Sequence, residues 1–210
     1  MDKERLEKLL SNYREQAKPL MDDINARHGD YPENCLNEIR AMLDHVSRCY
    51  RADDNPDLSE TEKNNIANEE LSKAESHLRR LMYDCFKQLN IFLYDAINER
   101  ENKTYSSHWL YIDGGKFWAD YTNGLEKAIK SVVEAKKNES FDPDKAMECY
   151  DTAYNAYCAV EQLLIRNEKS LRWSRILKFF EAVNSWVMWI VLTLGLSVIS
   201  AVISYLISLL

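Results

Sequence analysis

Apolar positions recur every three to four residues along most of this chain, and its last stretch is apolar on every face. The recurring pattern predicts amphipathic helices, because residues three and four apart share a helix face. A first helix is expected from about Asp2 to Arg27, with Leu6, Leu9, Leu10, Tyr13 and Ala17 on one side and a kink at Pro19. HGDYPEN (His28 to Asn34) carries the Gly and Pro signals of a turn. A second helix follows from about Pro32 to Arg51, with Leu36, Ile39, Leu43, Val46 and Tyr50 as its apolar stripe. The acidic segment Ala52 to Glu62 reads as a loop, and Ser59 with Glu62 has the spacing of a capping box.

A third helix is expected from about Ser59 to Glu101, with Leu71, Ala74, Leu78, Leu81, Cys85, Leu89, Phe92 and Ala96 inward. It is long for a globular helix, so an internal break is expected. Asn102 to Trp118 is irregular and aromatic-rich and holds the Gly114–Gly115 pair. A fourth helix spans about Lys116 to Lys137. A fifth starts near Asp142 or Pro143 and continues past Glu168. No alternation of period two calls for a sheet, and no internal repeat is visible, so the body is expected to be an all-α bundle.

The final stretch, Trp186 to Leu210 (WVMWIVLTLGLSVISAVISYLISLL), carries no charge. At about 1.5 Å per residue it is long enough for a hydrocarbon core of about 30 Å, which predicts one C-terminal transmembrane helix. Arg166, Lys169, Arg172, Arg175 and Lys178 precede it, so the positive-inside rule places the body in the cytoplasm, on a single-pass anchor. Trp186 and Trp189 fall where interfacial aromatics are expected. The implied organisation is a cytoplasmic bundle over 1–168, a basic juxtamembrane segment over 169–185 and the transmembrane helix over 186–210. Thr193, Ser197, Ser200, Ser204 and Ser208 share one face of that helix. Such a stripe packs against other copies or lines a pore; alternatively each hydroxyl satisfies itself on the carbonyl four residues back.

Charge narrows the picture. The net charge is -7, which argues against a protein built to grip nucleic-acid backbones non-specifically, although it leaves a local RNA site open. The five cysteines show no CxxC pairing, and MDKERLEKLL is not a secretory signal, so reduced thiols in a cytoplasmic body are expected. His28, His45, His77 and His108 are scattered without a metal signature, no nucleotide loop is present, and no cofactor is implied.

Arg40 and His45, in NEIRAMLDHVSRCY, resemble the Rx4-6H motif of the HEPN superfamily, and ESHLRRLMYDCFK (Glu75 to Lys87) resembles a stretch of bacterial HEPN-like helical proteins. The resemblance implies a HEPN-like helical bundle in which His45 serves as general acid or base and Arg40 stabilises charge on a phosphate, two copies meeting at a dimer interface. Five positions of a regular helix rotate about 500°, leaving these two side chains roughly 140° apart, so a dimer or a distorted helix is required. In the ordinary alternative, Arg40 pairs with Asp44, and His45 is solvated or hydrogen-bonded on the flank it shares with Glu38. Ala41 stands where the family's nucleases usually carry a polar residue. Arg79, Arg80, Asp84 and His77 make either a polar site or a solvated face. The aromatics Tyr105, Trp109, Tyr111, Phe117 and Trp118 either stack on a base or cover one end of the bundle.

With the apolar tail, the layout resembles the membrane accessory proteins of RNA-targeting type VI-B CRISPR systems. That resemblance implies an antiviral, CRISPR-associated effector that forms a homo-oligomer and opens a pore or perturbs the inner membrane, with RNA or an RNA-guided effector protein as partner. The alternatives are a membrane-tethered, metal-independent endoribonuclease using Arg40 and His45, or a tail-anchored protein-binding adaptor.

Overall fold

The computed structural model describes residues 2–104 and 106–208, and among them every regular element is a helix. In chain order these are α1 (Lys3–Asn12), α2 (Lys18–His28), α3 (Glu33–Asp53), α4 (Glu60–Asn102), α5 (Lys116–Asn138), α6 (Pro143–Arg166) and α7 (Glu168–Ser208). A π-turn over Tyr13–Ala17 joins α1 to α2, and a 3-10 segment over Ser106–Gly115 precedes α5. Along α7 the side chains of 177–178, 181–182, 185, 188 and 198–208 lie outside the described residues. Two compact units share the longer helices: one is Met1–Ala96 with Asn123–Ala159, the other Ile97–Thr122 with Val160–Leu210.

The helix boundaries follow local chemistry. A proline ring in a regular helix meets the carbonyl four residues back, which for Pro19 belongs to Glu15. The chain widens into the π-turn around that residue and restarts with Pro19 in the first turn of α2, so the expected kink falls one turn early. Gly29, at φ 81°, ends α2 and donates its N–H to the Asn25 carbonyl at 2.7 Å. The capping box before α4 forms: the Ser59 N–H donates to Glu62 Oε2 at 2.9 Å, and the Glu62 N–H donates to Ser59 Oγ at 3.3 Å. With no Gly or Pro inside it, α4 continues to Asn102 without the expected break. The fifth predicted helix does break, at Asn167, whose side chain donates to the Leu163 carbonyl at 2.9 Å between α6 and α7.

In the first unit, Leu71, Ala74, Leu78, Leu81, Cys85 and Leu89 of α4 pack with Leu6, Leu9, Ile24, Met42, Cys49 and Tyr150 into one core. Each such aliphatic side chain contributes about 1.5–3 kcal/mol on full burial. The α3 stripe is met in part: Val46 is buried as expected and Ile39 packs part-buried against the core. Cys35, Met42, Val46 and Cys49 are buried, whereas Leu36, Leu43 and Tyr50 are 46, 51 and 49% exposed. Two apolar lines run side by side along α3, one residue apart, and the polar partners on α4 select the smaller one. In the second unit, Trp109 is fully buried and meets Tyr121 edge-on at 4.9 Å, with Phe117 beside them. Tyr121 donates to Glu101 Oε2 at 2.6 Å. The turn into α5 needs positive φ at Asp113 (49°), Gly114 (63°) and Gly115 (93°), which explains the glycine pair.

The expected transmembrane helix is corrected. Among the described residues, no helix is long and apolar enough to cross a membrane. The apolar run is no separate element; it is the far part of α7, which opens with Glu168, Lys169, Arg172 and Arg175.

Candidate functional site: a reciprocal histidine–glutamate clamp

Two histidines that lie far apart in sequence come together between α3 and α4. His45 Nδ1 is 2.7 Å from Glu70 Oε2, and His77 Nδ1 is 2.7 Å from Glu38 Oε2. The two rings stack with centroids 5.1 Å apart and an interplanar angle of 21°. Glu38 and His45 are two turns apart on α3, as are Glu70 and His77 on α4. Two antiparallel helices therefore match glutamate to histidine at both ends of the contact.

The correspondence extends further. EIRAMLDHVSR (38–48) and ELSKAESHLRR (70–80) carry Glu, His and Arg at the same three places. Arg48 Nε lies 3.9 Å from Glu70, and Arg80 Nε lies 3.8 Å from Glu38. An E-x6-H-x2-R pattern thus occurs on each helix and relates them by a local two-fold axis. The sequence reading found no internal repeat, because three identities in eleven positions stand out only once the helices are paired.

A carboxylate only accepts, so each imidazole donates its Nδ1–H and leaves Nε2 as the other functional edge. Glu70 is buried and its carboxyl lies below the ordinary carboxylate range. Burial pushes it up, and the hydrogen bonds from His45 and Lys73 more than offset that. Lys73 Nζ reaches Glu70 Oε1 at 2.8 Å, so the His45 ring and two cationic side chains, Lys73 and Arg48, meet one carboxylate. Beside the clamp, Asp84 is pushed above the ordinary range chiefly by burial. Cys35 and Cys85 touch at an Sγ–Sγ distance of 3.8 Å, beyond the roughly 2.05 Å of a disulfide, and that contact together with burial pushes the Cys85 thiol up.

The arrangement fixes the register of α3 on α4, since a slip in either direction strands the buried Glu70 carboxylate and the part-buried Glu38 carboxylate. Within one chain it does not bring Arg40 and His45 together, in keeping with their wide angular separation on one helix. His45 faces α4, with Nδ1 engaged by Glu70 and its ring covered by His77. Arg40 is exposed and, among the described residues, has no hydrogen bond or ion pair. Asp44 pairs with Arg48 at 2.6 Å instead of with Arg40. Arg80 and His77 do belong to a polar cluster, the one around Glu38, and Arg79 lies 3.7 Å from Asp144.

The other sequence candidates are placed as follows. Trp109 and Phe117 are buried against each other, which removes them as base-stacking platforms, while Tyr111 is exposed; Tyr105 lies outside the described residues. Thr193 donates its hydroxyl to the Trp189 carbonyl at 2.6 Å, and Ser197 to the Thr193 carbonyl at 2.7 Å. Both hydroxyls are thus satisfied by their own helix. The side chains of Ser200, Ser204 and Ser208 lie outside the described residues. Among the described residues, no group of three His, Cys, Asp or Glu side chains is placed to hold a metal ion. The sequence reading placed Glu38 on the flank of His45; it missed Glu70 as the partner of His45 and Glu38 as the partner of His77. The repeated Glu-to-His spacing was the available signal. No known protein family, curated protein or solved structure matches this chain.

Proposed function

We propose that this protein is a helical effector that works at a membrane, attaching through the apolar end of α7 and gathering further copies of itself there. One observation carries the reading. Trp186 and Trp189 are 75 and 71% exposed, and Val187, Ile190, Val191, Leu192, Leu194 and Leu196 are exposed with them. A contiguous apolar surface of this kind on a protein in water seeks another apolar phase. Arg172 and Arg175, earlier on the same helix, favour an anionic lipid surface, and tryptophan suits the boundary between lipid and water. Attachment at that boundary needs no crossing of the bilayer. Self-association is supported by Leu36, Leu43 and Tyr50, exposed at seven-residue intervals along α3. The antiviral setting follows the HEPN resemblance. Ribonuclease chemistry would need Arg40 and His45 on one phosphate, an arrangement the clamp opposes.

Flotation of the full chain with vesicles of phosphatidylethanolamine and phosphatidylglycerol tests this. The wild type is expected to float with the vesicles, and serine at both Trp186 and Trp189 to weaken binding at least about tenfold. A wild-type chain that stays at the bottom of the gradient overturns the reading. Release of a trapped dye separates an effector from an adaptor, which binds the vesicles and leaves them sealed.

A further inference from the structure

Two of the five cysteines meet across the same helix pair as the clamp, just beyond its Glu38–His77 end. Cys35 lies about one turn before Glu38 on α3, and Cys85 about two turns after His77 on α4. Their sulfurs are 3.8 Å apart, and both side chains are buried. The other cysteines are placed differently. Cys49 donates to the Ala67 carbonyl at 3.5 Å, and Cys149 and Cys158 lie roughly 14 Å apart along α6.

The two sulfurs are not equivalent. Cys35 is the third residue of α3, where the open N–H groups of the first turn favour negative charge. The hydrogen bond from Cys85 holds its thiol below the ordinary range, against burial and the Asp84 and Glu38 carboxylates. Cys85 sits in mid-helix, where the same contact and burial push it up. One sulfur is thus suited to attack, while its neighbour is kept as a thiol. Access lies through the start of α3. Pro32 occupies the capping position and makes no side-chain hydrogen bond there. Arg27 to Asp30 are exposed, as are Glu33 and Asn34 beside Cys35. A hydrogen bond between Asn34 and Asp84 ties this turn to α4, but a first turn without a cap opens more readily than a helix interior.

We propose that Cys35 and Cys85 are a peroxide-oxidisable pair that forms a disulfide between α3 and α4, Cys35 being reached by brief opening of the first turn of α3. The Cys35 sulfur attacks one oxygen of hydrogen peroxide, the O–O bond breaks, and water leaves; the sulfur, oxidised by two electrons, carries a hydroxyl as a sulfenic acid. When the turn closes, the Cys85 sulfur attacks that of Cys35. The S–S bond forms, the S–O bond breaks, and the hydroxyl leaves with the Cys85 proton as a second water. The sulfurs must close by about 1.8 Å to reach a bond of about 2.05 Å. The product fastens the uncapped turn to α4 and fixes covalently the register that the clamp holds by charge. This oxidation does not depend on membrane attachment through α7.

Treating the full chain with hydrogen peroxide, blocking the remaining thiols with N-ethylmaleimide and mapping peptides before and after reduction tests this. The main product is expected to link the peptides of Cys35 and Cys85 and to come apart on reduction. In Cys85→Ser, dimedone is expected to label Cys35; in Cys35→Ser, Cys85 should stay unlabelled. Pro32→Asp supplies the missing cap and should slow the linkage about fivefold. In the oxidised wild type, amide exchange over residues 33–39 is expected to slow about tenfold. The linkage itself is read on the wild type, and circular dichroism melting confirms that each variant is folded. Oxidation confined to Cys149 and Cys158 overturns the proposal. Linkage that Pro32→Asp leaves equally fast, or dimedone on Cys85 as readily as on Cys35, overturns it as well.

Discussion

At the scale of single residues, the clamp shows how burial and pairing decide what a histidine does. Glu70 meets His45, Lys73 and Arg48 with its side chain only 10% exposed, whereas Glu38, with His77 and Arg80, is 21% exposed. Hydrogen bonds to charged groups contribute roughly 1.5–3 kcal/mol when shielded. Replacing the carboxylate by an amide keeps the shape and removes the charge. Glu70→Gln is therefore expected to cost about 1 kcal/mol and lower the melting temperature by about 2–4 °C at neutral pH, and Glu38→Gln to cost less. The acid limb gives a second readout. Glu70 titrates lower in the folded chain than in the unfolded one, so its contribution is complete above the unfolded carboxylate range and is lost as pH falls through the folded value. Urea unfolding at neutral and at acidic pH should show the Glu70→Gln variant losing less stability on acidification than the wild type. Parallel losses in the two proteins would refute the role given to this carboxylate.

At the scale of elements, local signals account for most boundaries. The Ser59–Glu62 capping box satisfies donors that the first turn of α4 leaves open, and Ser59→Ala removes one acceptor. A loss of about 1 kcal/mol is expected, with faster amide exchange confined to the first turn of α4. Unchanged exchange there would mean that tertiary packing alone holds the helix start. Pro19 illustrates a weaker reading. Sequence locates a disturbance but not its form, because the clash of the ring with the preceding turn is relieved by a π-turn upstream of the proline.

At the scale of the whole molecule, three helices pass through both compact units, yet each unit has its own core. The aromatic cluster of the second unit centres on Trp109 and is fastened by the Tyr121–Glu101 hydrogen bond. Tyr121→Phe should cost about 1 kcal/mol and raise exchange within Ile97–Thr122, leaving α1–α3 protected as before. Exchange that rises equally throughout would show the two units to open as one.

Periodicity and breaker residues alone determined that this chain is helical, roughly where its helices lie, and that Leu71, Ala74, Leu78, Leu81, Cys85 and Leu89 of α4 are in the core, since spacing along one helix is a local property; further along, Leu93 and Ile97 are buried instead of the expected Phe92 and Ala96. The uncharged run and its basic flank were equally plain, but the run forms the far part of one long helix that opens with charged residues, and among the described residues no helix is long and apolar enough to cross a membrane. Only the tertiary structure decided which of two adjacent apolar lines on α3 is buried. It also decided that Arg40 and His45 part company, and that Glu38, His45, Glu70 and His77 form one site. Those outcomes depend on what the neighbouring helix presents. A pairing between two helices is a property of their register, which neither helix carries by itself.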